Sequence, residues 1–242
     1  MISVCMATYN GERFLREQID SILCQLAPDD ELIISDDGST DGTLDIIQSY
    51  NDKRIKLLHH KKKSEYAKIK YSRNFYYATD NFENALQAAQ GDYIFLADQD
   101  DVWMENKVKV MCTLLDEFDC VMCNYDIIND KNETIEKSLL SKQTISKSYV
   151  LNIFNTPFLG CLLAFKKNIL KRSLPFPPSL IAHDLWLGCI AAKRFHFVYE
   201  NEVLVLHRKH TNNTSFVNQK SNNPIFIKII YRLKLLLYLF FN

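Results

Sequence analysis

No charge of one sign dominates this chain of 242 residues: 29 lysines and arginines balance 29 aspartates and glutamates. A protein that holds nucleic acid by bulk phosphate attraction needs a surplus of cations, so a partner met at a defined site is expected instead. There is no internal repeat and no low-complexity tract, which removes repeat arrays and biased linkers from consideration. The opening MISVCMATYN lacks a basic n-region, and its apolar stretch is too short for a secretory signal, so a cytoplasmic setting is expected. Seven scattered cysteines, an odd number, then read as reduced thiols rather than a disulfide framework. Cys120 and Cys123 form a lone C-x-x-C with no second pair at zinc spacing, and a structural zinc usually needs four closing ligands. No uninterrupted apolar run reaches the roughly 20 residues of a membrane span. The most apolar stretch, PIFIKIIYRLKLLLYLFFN at 224–242, is interrupted by Lys228, Arg232 and Lys234. It reads as an interfacial helix lying among lipid headgroups, with dimer contact or core packing as alternatives.

What is present is an ordinary globular composition, 47% hydrophobic and 24% charged, in a telling order. The apolar runs ISVCMAT, ELIISDD, RIKLLHH and DYIFLAD read as strands, and the segments between them carry helical spacing, as at Phe14, Leu15, Ile19, Ile22 and Leu23. Alternating strands and helices through about residue 130 predict an α/β fold with a mostly parallel, Rossmann-like sheet and helices on both faces. Ligands of such sheets bind beyond the carboxyl ends of the strands. That rule gathers Thr8, Tyr9 and Asn10, Asp36 and Asp37, and Asp98, Gln99, Asp100 and Asp101 at one edge. Residues 130–150 read as a long polar loop, TPFLGCLLAFKKNIL as strand-like, AHDLWLGCIAAKRF as a helix with Asp184 near its N-terminus, and HFVYENEVLVLHRKH as a late strand.

FLADQDDVW, at 95–103, turns a core strand directly onto three carboxylates. Clustered carboxylates are costly unless hydrogen-bonded or bound to a cation. Asp98-Gln99-Asp100 is a D-x-D arrangement that hard Mg²⁺ or Mn²⁺ could use to bridge to phosphate. Alone it is a weak signal. The blocks around it are specific: ATYNGERFL, ELIISDDGSTDGT, NFENAL, GDYIFLADQDDVWMENK, the Gly160-Cys161 pair, HDLWL and HRKHTNN, in that order. With them the chain resembles, over residues 2–215, the inverting family 2 glycosyltransferases of the GT-A fold, in particular the bacterial O-antigen and polysaccharide rhamnosyltransferase-like subgroup.

The resemblance implies a metal-dependent transfer of a sugar from a UDP- or dTDP-sugar donor to a hydroxyl of a lipid-linked oligosaccharide or surface polysaccharide, at the inner face of the cell membrane. It implies a GT-A domain over 1–215, with a donor-binding half at 1–125 and a smaller acceptor-side half at 126–215, followed by a membrane-associating segment at 216–242. On the donor side it puts Asp37 against the pyrimidine base, Asp36 in the shaping of its turn, and Ala7, Thr8 and Tyr9 in the base pocket. Asp98 falls at the ribose or beside the metal, Asp100 on the metal, and Asp101 in the orientation of the sugar. Asp184 matches the catalytic base, as an inverting single displacement requires one carboxylate opposite the leaving diphosphate. His210 fits the late metal-ligating histidine better than His207, and the choice between them stays open. Arg208 is expected to grip the diphosphate, since its planar fork suits phosphate oxygens.

Plainer readings stand beside these. DDGSTDG is also a turn and cap sequence, Asp184 is also a helix-capping residue type, and Trp103 and Lys107 equally well pack and cap the helix that follows them. Gly160 and Cys161 either let an acceptor approach the backbone or simply pack. The basic stretch HHKKKSEYAKIKYSRN at 59–74 is either a solvated face or a steering surface for anionic ligands. Two other functions compete: a sugar-nucleotide-forming nucleotidyltransferase and a non-catalytic metal- or nucleotide-binding α/β module. The first needs a glycine-rich basic phosphate loop after the first strand, where this chain reads TYNGERFL.

Overall fold

The computed structural model describes residues 1–137, 146, 148–210 and 223–241. Strands β1 (Ile2–Thr8), β2 (Glu31–Asp36), β3 (Ile55–His59) and β4 (Tyr93–Asp98) lie parallel in the order β3-β2-β1-β4. Leu32, Ile33 and Ile34 on β2 and Phe95, Leu96 and Ala97 on β4 are all buried. Consecutive residues of a strand face opposite ways, so such unbroken apolar runs require cover on both faces.

Helix α1 (Leu15–Leu23) buries Leu15, Ile19, Ile22 and Leu23, the stripe its spacing predicts. Helix α2 (Thr43–Ser49) packs on α1, and α3 (Arg73–Ala88) packs on β1 and β2. The helix expected at NFENALQAAQ thus begins well before Asn81.

The remaining elements are β5 (Val102–Trp103), α4 (Lys107–Glu117), β6 (Cys120–Ile128), β7 (Thr134–Glu136), α5 (Tyr149–Asn155), β8 (Leu163–Lys166), α6 (Lys167–Ser173), α7 (His183–Arg194), β9 (Phe197–Arg208) and α8 (Ile225–Phe241). The sheet continues β4-β8-β6-β9-β5, with β7 on β6. β8 runs antiparallel to both β4 and β6, and β5 antiparallel to β9, while β6 and β9 are parallel.

The expected loop at 130–150 is only partly a loop: β7 folds back on β6 and α5 starts at Tyr149, with 138–145 and 147 outside the described residues. Only four residues of the TPFLGCLLAFKKNIL stretch form a strand, because β8 is capped by α6. Thr211, Asn212 and Asn213 of HRKHTNN, and residues 216–222 of the expected C-terminal segment, lie outside the described residues. Cys120 and Cys123 are buried, unbridged thiols three apart on β6. An odd spacing on a strand sends side chains to opposite faces, which removes the zinc reading.

β1 pairs with β2 on one side and β4 on the other, so the chain changes direction across the sheet at β1, and this is where a crevice opens. The registers align the strand ends: Thr8 opposite Asp36, and Ala7 opposite Asp98. β5 bonds to β9, Val102 opposite Leu206, and so draws the end of β9 to the acidic end of β4.

Candidate active site

A cavity of about 730 Å³ opens at these strand ends. It is bordered by Ala7, Thr8 and Tyr9 from β1, Asp37 after β2, Asp98 and Asp100 after β4, Gly160 and Cys161, His183 and Asp184 from α7, and His207 and His210 from the end of β9. Its size suits a small-molecule ligand. Residues far apart in sequence, from Ala7 to His210, therefore share one hollow.

On one side, Asp36 and Asp37 have separate duties. Asp36 is buried, accepts from the backbone N–H of Gly38 at 3.0 Å and of Ser39 at 2.9 Å, and takes a bond from the Thr8 hydroxyl at 3.1 Å. It closes the turn in which Gly38 adopts φ +78°, a left-handed conformation that glycine tolerates. Asp37 borders the cavity, and His60 Nδ1 lies 2.6 Å from its Oδ1. Lys62 stands 4.0 Å from the same carboxylate, with its ammonium 2.9 Å from the centre of the Tyr9 ring. Gln99 is a strut between strand ends: it accepts from the Tyr9 N–H at 2.9 Å and donates to the Tyr9 carbonyl at 3.2 Å.

The acid cluster is heavily compensated. Asp101 is fully buried, accepts from the Arg208 N–H at 3.0 Å, and lies 2.8 Å from His207 Nδ1. Burial alone pulls the His207 imidazole down, but Asp101 and then Asp98 outweigh it and lift His207 to about 9, a cation at neutral pH. Burial raises Asp101, yet His207 and the N–H of Arg208 bring it below the ordinary carboxylate value. At Asp98 burial, then Asp101, then Asp100 outweigh the opposing pull of His207 and raise it to about 8. Behind the cluster Lys107 is fully buried, donates to the Cys161 carbonyl at 2.7 Å and lies 4.0 Å from the centre of the Trp103 ring.

Asp98, Asp101, Cys161 and His207 hold ligand atoms all within 4.8 Å of one another, and His210 Nε2 lies 2.7 Å from Asp100 Oδ2. Asp98, Asp100 and His210 also border the cavity, and their carboxylate and imidazole donors are of the kind a hard divalent ion takes, with Asp100 and His210 paired to each other. Cys161 does not fit, because burial beside Asp101 and Asp98 holds its thiol well above the ordinary value and hence protonated.

Across the cavity, Asp184 is the second residue of α7 and not its cap, a place taken by Ala182. Burial raises its carboxyl to about 6, against the N–H groups of Leu185 and Gly160 that favour the charged form. Its neighbour His183 stacks on Phe82 at 4.0 Å, and burial lowers this imidazole to about 3, so it is neutral. A Cβ on Gly160 would lie 3.0 Å from His183 Nε2, so the glycine fits closely against this histidine.

Three residues expected at the donor do not border the cavity. Asp36 shapes the turn beneath it. Asp101, expected to orient a sugar, is instead buried against His207 and the end of β9. Arg208, expected on a diphosphate, is buried with its guanidinium bonded to the protein: to the Asp100 carbonyl at 2.9 Å, the Asn129 carbonyl at 3.2 Å, Glu17 at 2.7 Å, and Asn132. Its guanidinium thus braces the backbone at Asp100, away from the cavity wall. His60, Lys62 and His183 are not singled out by the sequence, although the basic stretch at 59–74 contains the first two and HDLWL the third.

Comparisons with known proteins give the family and the fold. Residues 3–174 match the family described as glycosyl transferase family 2. The UDP-Glc:alpha-D-GlcNAc-diphosphoundecaprenol beta-1,3-glucosyltransferase WfgD of Escherichia coli is 30% identical over 179 residues, 73% of this chain and 64% of that enzyme, so the chain spans under two thirds of this relative's length. Among solved structures, S. aureus TarS 1-349 in complex with UDP-GlcNAc has a TM-score of 0.68 at 18% identity, over 97% of this chain and 71% of that one. The mannosyltransferase PcManGT from Pyrobaculum calidifontis, in complex with GDP-Man and Mn²⁺, has a TM-score of 0.62 at 20% identity, over 88% and 58%. These likenesses establish the GT-A fold.

Proposed function

The chain belongs to glycosyl transferase family 2, and on that premise we propose that it is an inverting transferase. It moves one sugar from a UDP- or dTDP-sugar to a hydroxyl of a lipid-linked oligosaccharide or surface polysaccharide, at the inner face of the cell membrane. The observation that carries this reading is that Asp98 and Asp100, from the proposed donor half 1–125, and Asp184, from the proposed acceptor half 126–215, border one cavity. The nucleotide base lies against Ala7, Thr8, Tyr9 and Asp37, with Lys62 beside them as a cation for the anionic donor. Asp98 lies at the ribose side beside the metal, and Asp98, Asp100 and His210 would hold Mg²⁺ or Mn²⁺. The ion, when bound, supplies positive charge to the departing diphosphate.

Asp184 is the base. It accepts the proton of the acceptor hydroxyl as that oxygen attacks the anomeric carbon from the face opposite the diphosphate, and one displacement inverts the centre. A carboxyl at about 6 suits this role, since it is ionised at neutral pH yet more basic than a solvated aspartate. Phe82, Leu159 and Ile181 add apolar surface to the same cavity.

The test is release of nucleoside diphosphate from a panel of donors, with divalent ion and with chelator. Asp184→Asn is expected to lower turnover about a thousandfold with donor affinity nearly unchanged. Asp100→Ala is expected to abolish the metal dependence along with the activity. Release in the presence of metal separates a transferase from a binding module. Wild-type turnover in purified Asp184→Asn refutes the base.

A further inference from the structure

The inner-face location proposed above leaves open which surface meets the lipid. Helix α8 answers this. It packs on α5 and α7 through Leu235 and Leu239, which are buried, and through Tyr231. Arg232 fastens it to α5 by donating to the Phe154 carbonyl at 3.0 Å, and Tyr238 donates to the Pro178 carbonyl at 3.0 Å. It is therefore a fixed part of the fold.

The other side of α8 is uncovered and apolar. Its exposed residues are hydrophobic apart from Lys234. Phe226, Ile229, Ile230, Leu233, Leu237 and Phe240 fall on one face at helical spacing. Phe240 is 74% exposed and Phe241 83%. On α5, Leu151 and Phe154 extend the surface, each more than half exposed. So broad an apolar face marks an interaction site.

Charge identifies the occupant. Neither α5 nor α8 contains an acidic residue. Lys234 lies on the edge of the apolar face, and near the far end Lys193 donates to the Leu239 carbonyl. A second copy seated on the same face would bring its own Lys234 and no acidic residue of α5 or α8 to meet it. An anionic lipid headgroup layer supplies both the apolar phase and the counter-charge. No described helix is long and apolar enough to cross a membrane, so the helix lies along the surface.

We infer that the α5–α8 face is a docking surface for an anionic lipid bilayer, an inference that rests on the proposed location only for the choice of leaflet. The start of α8 lies near the cavity: Asn223, just before the helix, donates to the Ser72 hydroxyl at 2.7 Å, and the adjoining Arg73 borders the cavity. An acceptor anchored in the same bilayer would present its headgroup at that rim.

The experiment is co-sedimentation of the full chain with vesicles of phosphatidylcholine alone and of equimolar phosphatidylcholine and phosphatidylglycerol. It is paired with sedimentation velocity of the free protein. The chain is expected to bind the anionic vesicles, more weakly as salt is raised, and to bind the neutral ones at least about tenfold more weakly. The double substitution Leu233→Asp/Leu237→Asp, at two exposed positions, is expected to lower binding about tenfold or more without changing the circular dichroism spectrum. Lys234→Glu leaves the apolar face intact and is expected to weaken only the preference for anionic vesicles. Wild-type protein that binds neither vesicle overturns the inference. So does a concentration-dependent dimer, abolished by the double substitution, in a protein that ignores lipid. Donor turnover is not read, so this result and the test of the reaction fail independently.

Discussion

Asp184 shows how far a single side chain's surroundings set its chemistry. Burial raises its carboxyl to about 6, so protonation silences it well above the pH at which a solvated aspartate would be affected. Turnover at saturating donor, acceptor and metal is expected to rise with pH through about 6 and then level off, one proton being lost per active site. The residual rate of Asp184→Asn is expected to lack that limb. A rate that is flat from pH 5 to 8 in the wild type removes Asp184 from the proton transfer. Single residues were legible where local sequence fixes the role: the Asp36 turn needs only its own Gly38 and Ser39. They were illegible where partners come from distant segments. Arg208 looks like a phosphate-binding fork, and only the fold shows that Glu17, Asn132 and the Asp100 carbonyl occupy it. The two histidines likewise could not be ranked from spacing alone, whereas the structure gives them different neighbours: His207 is paired with buried Asp101, and His210 with Asp100 at the cavity edge.

At the scale of elements, β1, β2 and β4 were readable because a strand covered on both faces is a nearly unbroken apolar run, while β3, with Lys56 and His59 exposed, was readable from its short apolar stretch between polar residues. Short elements were not. β7 and β8 span three and four residues and owe their existence to neighbours in the sheet, and α5 is a seven-residue helix whose capping Ser148 is its clearest local signal. Contacts between elements were also invisible. Gly188 of α7 faces Phe158, and an added Cβ would stand 2.3 Å from the ring. Phe158 is buried and ends a segment that leads through Leu159 to Gly160 beside Asp184. Gly188→Ala is expected to cost about 1–3 kcal/mol, because a packed ring has nowhere to move. Since the displaced ring would pull on the cavity wall, turnover should fall more than donor affinity. A thermal melt at wild-type temperature would show that the contact yields freely.

For the whole molecule, the decisive feature is that the sheet collects carboxylates from one strand end and histidines from another into a shared electrostatic unit. The signs can be worked through. Asp98 is raised to about 8, so its protonated form stabilises the fold at low pH, and that contribution is lost as pH rises from the ordinary carboxylate range through about 8. His207 is raised to about 9, so its contribution is complete below about 6.5 and lost as pH rises through about 9. Both run the same way, and the metal-free chain is expected to lose stability between about pH 6.5 and 9. A divalent ion competes with the proton on Asp98, so the stabilisation it gives should grow over the same interval. At a hundredfold excess over Kd, ligand linkage is worth about 2.7 kcal/mol, and for a chain of this size each kcal/mol moves Tm by about 2–4 °C. The difference in Tm between Mn²⁺ and chelator should therefore widen from near nothing at pH 6 to several degrees at about pH 8.5. Taking that difference at each pH cancels titrating groups remote from the ion. Asp100→Ala should flatten the difference at both values while leaving most of the chelated protein's own decline in place, since Asp101, which raises both Asp98 and His207 more than Asp100 does, is untouched. A gap of equal size at the two pH values would mean that the ion binds away from Asp98, and the cluster at the end of β4 would then be a proton-bridged structural unit rather than a metal site.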